Sequence, residues 1–199
     1  RFINSRVVSF QKEPVLAPIW DLVNHSPFAS SFKTSNKGVE TPTYPSDSTT
    51  GEIFFSYKQK ISPIGMFFNY GFSSNEIFAY SLPAEIKIGD SNLTIRVGGE
   101  YAGVESNYKR ISFKKNTLTI PALPLGSISK RLPVSFLYSI VQKHGISESK
   151  ASSLIHQLQL ANTKQRKGLI NLLSININDT TTSLIESISK EIDLIESSL

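Results

Sequence analysis

The chain has 199 residues, with 21 Lys and Arg against 16 Asp and Glu (formal net charge +5), and 39% of its residues are hydrophobic. That composition suits one large domain or two small ones with cores of ordinary size. There is no cysteine, so a disulfide framework and cysteine-ligated zinc are excluded; with no apolar run of membrane-spanning length and no opening signal-peptide pattern, a soluble, intracellular protein is expected.

Residues 7–10 form a β-type run, and 27–50 are rich in Ser, Thr, Pro, Asn and Gly, which favours turns and loop. Gly51 leads into a strand candidate at 52–57. The apolar run 64–69 is too short for pattern alone to decide between helix and strand. Alternation over 84–88 and 93–97, with Gly89-Asp90 between, predicts a hairpin, and 110–113 with 117–120 predicts a second pair joined through 114–116.

Beyond that the period changes. Pro133 starts a helix with Phe136, Leu137, Ile140 and Val141 on one face, and Gly145 ends it. Ser147 caps a second helix carrying Leu154, Ile155 and Leu158, and a third runs through Leu169, Ile170, Leu172 and Leu173. Asp179 or a neighbouring Thr caps the last, where Leu184, Ile185, Ile188, Ile192 and Ile195 recur at helical spacing. The expected class is α+β: a β-rich portion, strands to about residue 120, then an all-α segment over 133–199.

Lys109, Arg110, Lys114, Lys115, Lys130 and Arg131 make one region basic, while Glu186, Glu191, Asp193 and Glu196 make the C-terminal segment acidic. Few aromatics interleave the basic residues, so a solvated face is expected there rather than a nucleic-acid interface. His144 and His156 lie on predicted helices with no companion at ligand spacing, and no metal site is expected. Gly98-Gly99 is not followed by a helix start, so it is no phosphate-binding loop.

Three motifs remain, in a fixed order. Asn24-His25 sits within Pro18-Ile-Trp-Asp21-Leu-Val-Asn24-His25-Ser26, Gly51-Glu52-Ile-Phe-Phe-Ser56-Tyr57 follows, and Tyr70-Gly71-Phe72 comes last. Together they resemble the C-terminal half of a SET domain, the S-adenosylmethionine-dependent protein methyltransferase fold with its knot-like arrangement of these motifs. The opening Asn4-Ser5-Arg6 resembles a segment of the Rubisco large-subunit methyltransferase group, whose SET domain is followed by a helical substrate-binding domain. The resemblance is detailed over residues 1–82 and looser over 83–199.

It implies methyl transfer from S-adenosylmethionine to a protein lysine, with a histidine acceptor as a variant. Asn24 and His25 are implied to hold the cofactor, with Arg6, Tyr57 and Phe72 beside it, although core filling is the simpler expectation for Phe72. Tyr70 is implied to be catalytic, orienting the substrate amine. Asp21 and Tyr80 are implied to line the lysine channel, which Tyr57 helps to shape. The implied partner is a lysine-bearing protein, without metal or membrane. The chain departs from the pattern at Lys58, where the family has glycine, and the stretch from Tyr57 to Tyr70 is longer than in many relatives. No Gly-x-Gly-type segment for the methionine end of the cofactor precedes the motifs, so the expectation is a cofactor site completed by a missing N-terminal half. The alternative reading is a degenerate SET fold that serves as a non-catalytic protein-interaction module.

Overall fold

The computed structural model describes residues 7–10, 13–16, 23–40, 54–57, 61–88, 93–98 and 111–199. The chain divides into two compact units, Arg1–Gln59 and Lys60–Leu199. The division falls upstream of the border near residue 82 that the motifs suggested. Helices and strands are both present, in keeping with an α+β class.

The first unit is built from pairs of short strands. β1 (Val7–Phe10) and β2 (Glu13–Leu16) are antiparallel, with Val7 opposite Leu16. β3 (Asn24–His25) runs parallel to β6 (Phe54–Phe55). β4 (Lys33–Ser35) and β5 (Gly38–Glu40) form a hairpin inside the stretch expected to be loop. Its turn closes through Asn36-Lys37 onto Gly38, whose φ of 138° suits a residue without a Cβ.

The second unit begins with α1 (Pro63–Tyr70), which settles the ambiguous apolar run as helix. Ser62 caps it, its Oγ accepting from the Gly65 N–H at 3.2 Å, and Pro63 supplies the preset φ of a first helical residue. Next come β7 (Phe78–Tyr80), β8 (Ala84–Ile88), β9 (Leu93–Val97), β10 (Ser112–Lys114), β11 (Thr117–Ile120) and β12 (Pro124–Ser127). Both predicted pairs form: β8 with β9, and β10 with β11. Absent from the sequence reading is the parallel pairing of β11 with β9, which fuses the two hairpins into one sheet of order β10-β11-β9-β8. β12 pairs with β7 as a separate ribbon.

α2 (Leu132–Val141) runs into a 3-10 turn, Gln142–His144, ended by Gly145 at φ 77°. Ser147 caps α3 (Glu148–Leu173), and Asn178 caps α4 (Asp179–Glu196) with a reciprocal Thr181 partner, where Asp179 or a threonine was expected as the cap. The second and third predicted helices are therefore one helix of 26 residues. Gly168 alone interrupts its pattern, and a single exposed glycine costs about 1 kcal/mol without breaking a packed helix.

The core of this unit lies between the sheet and the helices. Ile95, Leu118 and Ile120 meet Leu137, Val141, Ile155 and Ile195, all essentially without solvent exposure. Each such side chain contributes roughly 1.5–3 kcal/mol by burial. A smaller cluster joins Ile64 of α1 to Ile188 and Ile192 of α4. Among the described residues no helix is long and apolar enough to cross a membrane.

Candidate functional site

In the first unit the Asn-His dipeptide forms β3, so its two side chains point to opposite faces; Asn24 is exposed and His25 is half-buried. Parallel pairing places His25 opposite Phe55. The bridge continues on both sides, because the Ser26 N–H donates to the Phe55 carbonyl at 2.9 Å and the Ser56 N–H donates to the Ser30 carbonyl at 3.2 Å. Tyr57 emerges just beyond this bridge. Its backbone N–H donates to His25 Nδ1 at 3.1 Å, and its hydroxyl donates to the Val23 carbonyl. The two rings lie 5.1 Å apart, tilted by 53°.

Two of the motifs, 32 residues apart at His25 and Tyr57, are thus joined in one small structure. The hydrogen bond at Nδ1 fixes the orientation of the His25 ring. The result is an oriented imidazole packed on a fixed phenol, with the Asn24 carboxamide on the other face of the strand. Arg6, Asp21 and Lys58 lie outside the described residues.

In the second unit the Tyr-Gly-Phe motif is the end of α1. Tyr70 is its last residue, and Gly71 takes the left-handed conformation at φ 86°, its N–H donating to the Phe67 carbonyl at 2.9 Å. Here the glycine is required by the cap: an added Cβ would meet nothing within 4 Å, so the constraint is the dihedral angle itself. The turn brings the rings of Tyr70 and Phe72 to 6.3 Å. Tyr70 is half-buried, whereas Phe72 is 38% exposed and does not fill core. Tyr80 closes β7, half-buried and stacked on Phe78 with centroids 6.0 Å apart.

Sequence reasoning missed a buried polar network in this unit. The side chains of Arg166 and Glu191 are 2% and 1% exposed and meet at 2.6 Å, although Glu191 had been counted in a charged C-terminal segment. Arg166 Nη1 donates to Asn162 Oδ1 at 2.8 Å, and Nη2 also donates to the Tyr80 carbonyl at 2.7 Å. Asn162 Oδ1 accepts in addition from the Leu82 N–H at 2.7 Å, and Glu191 Oε1 accepts from the Ile64 N–H at 3.3 Å. A signal was there to find. Asn162 and Arg166 continue the helical stripe of Leu154, Ile155 and Leu158, and Glu191 lies between Ile188 and Ile192.

Lys114, Lys115, Lys130 and Arg131 are exposed; Lys109 and Arg110 lie outside the described residues. His156 is exposed on α3, while His144 packs its ring on Phe113 with centroids 4.4 Å apart. No group of three or more His, Asp or Glu able to hold a metal occurs among the described residues. Comparison with protein-family models, with curated proteins and with solved structures found no match to this chain.

Proposed function

We propose that this chain belongs to a SET-type protein methyltransferase that transfers a methyl group to a lysine ε-amine of a protein substrate. The observation that carries the reading is the junction of His25 with Tyr57 across the β3–β6 bridge, two motif residues distant in sequence fixing one another. By the SET resemblance Asn24 and His25 hold the adenine end of the cofactor, partly through their backbone groups. S-adenosylmethionine, when bound, supplies an electrophilic methyl on its sulfonium.

The remaining work is positioning in a water-poor channel, where orientation rather than strong base chemistry lowers the barrier. Tyr57 holds the His25 ring in its orientation. The Tyr70 hydroxyl orients the amine and stabilises it as its lone pair turns to the methyl group. Tyr80, in the same unit as Tyr70, lines the channel around the lysine stem.

The test is calorimetric titration of S-adenosylhomocysteine into the protein. Binding that is lost in Asn24→Ala and His25→Ala supports the reading; no binding refutes a cofactor site. Tyr70→Phe should leave binding intact and lower methyl transfer by about a hundredfold or more. Unchanged transfer would remove Tyr70 from the chemistry.

A further inference from the structure

We propose that Arg166 and Glu191 are positioning residues that set the orientation of Tyr70 relative to Tyr80. The inference rests on the role given to those tyrosines above. Both charged side chains are buried, and each makes one hydrogen bond to an element that carries one of these tyrosines. Glu191 Oε1 accepts from the Ile64 N–H in the first turn of α1, the helix whose last residue is Tyr70. Arg166 Nη2 donates to the carbonyl of Tyr80 itself, and through Asn162 the same guanidinium steadies Leu82 two residues on. The Arg166–Glu191 pair, at 2.6 Å, joins the two halves of this brace.

A buried ion pair is a poor source of stability, since apolar residues of equal volume serve as well or better. What hydrogen bonds add is direction. The eight residues of α1 span about 12 Å, so a tilt of about 10° about the Ile64 end displaces Tyr70 by about 2 Å. A misplacement of about 1 Å can cost about a hundredfold in rate.

The decisive variant is Arg166→Met with Glu191→Leu, which removes the brace without stranding a buried charge. In protein labelled with ¹³C-tyrosine, and with signals assigned through Tyr70→Phe and Tyr80→Phe, the ring resonances of Tyr70 and Tyr80 should shift while other tyrosines stay put. Arg166→Lys keeps a cation beside Glu191 but loses the planar fork. It should move Tyr80 more than Tyr70, and it serves in place of the double variant if that protein fails to fold. Unmoved Tyr70 and Tyr80 resonances in a folded variant overturn the proposal.

Methyl transfer from tritiated S-adenosylmethionine to poly-L-lysine gives a second, separable readout. If the parent protein transfers, the double variant should lose about tenfold or more in kcat with little change in KM for S-adenosylmethionine. Equal kcat overturns the brace. A parent protein that transfers nothing counts against the methyltransferase reading, and the resonances still decide the positioning.

Discussion

Gly126 is the position where one methyl group should cost most. It lies in β12, fully buried, with the last turn of α4 laid directly across it. A Cβ built there would fall 2.6 Å from Ile195 N and from the Leu194 carbonyl carbon, roughly 0.8 Å inside the 3.4 Å at which ordinary contact begins. The opposing atoms are backbone, so no rotamer change relieves the clash. Nor can the elements part freely: Gln159 Nε2 donates to the Leu125 carbonyl at 2.8 Å, and Ser198 Oγ lies 3.1 Å from both N and O of Ser127.

Overpacking of this kind costs about 1–3 kcal/mol. Contacts of 2.6 Å to backbone put the cost at the upper end of that range, and the stiffer unfolded chain of Ala returns about 0.4–1 kcal/mol, leaving a net loss of about 2 kcal/mol for Gly126→Ala. In a chain of this size that corresponds to a fall of about 4–8 °C in Tm. Every described α-helix lies in Lys60–Leu199, so ellipticity at 222 nm follows the unit concerned. Urea titration should show a lower midpoint with an unchanged slope. A midpoint equal to that of the parent would refute the close packing of α4 on β12.

The same substitution at Gly168 should act in the opposite direction. That glycine is exposed inside α3 with nothing within 4 Å of its Cβ position, so Gly168→Ala should raise stability by about 1 kcal/mol in the same titration. Lys115 and Asn116 form the turn between β10 and β11 at φ 46° and 59°, a conformation that suits Asn better than Lys. Lys115→Asn should therefore gain about 0.5 kcal/mol, read as a higher urea midpoint. Thr163 buries a hydroxyl with no partner among the described residues, and Thr163→Val should be neutral or raise Tm slightly. A loss of about 1 kcal/mol or more would show that the hydroxyl is hydrogen-bonded in solution.

The legible parts of the fold were those governed by short-range rules. Alternation over Ala84–Ile88 and Leu93–Val97 announces a hairpin because side chains on a half-buried strand must alternate. Ser147 and Gly145 mark helix ends because caps are local chemistry. The parallel pairing of β9 with β11 is a long-range choice that neither strand's own residues encode. β12 was missed for a related reason: Pro124-Leu-Gly-Ser127 has no strand pattern of its own and pairs with β7 as a buried ribbon. The candidate site divides in the same way. His25 and Tyr57 were found by motif, but the bond between them depends on a bridge that no periodicity reveals. Arg166 and Glu191 were overlooked because charge was read along the chain and not around the helix.

The hydrogen bond between Ile64 and Glu191 also has a meaning in time. The two residues are 127 apart in sequence, so at about 5–20 residues per second the ribosome reaches Glu191 about 6–25 s after Ile64. Throughout that interval α1 lacks the isoleucines that cover it, and β12, once made, lacks the helix that lies on Gly126. The nascent second unit therefore keeps an open apolar flank until α4 emerges, and its yield in cells should depend on chaperone capacity and elongation rate. Synonymous codons that slow the ribosome between these two points would lengthen that exposure without changing a single residue.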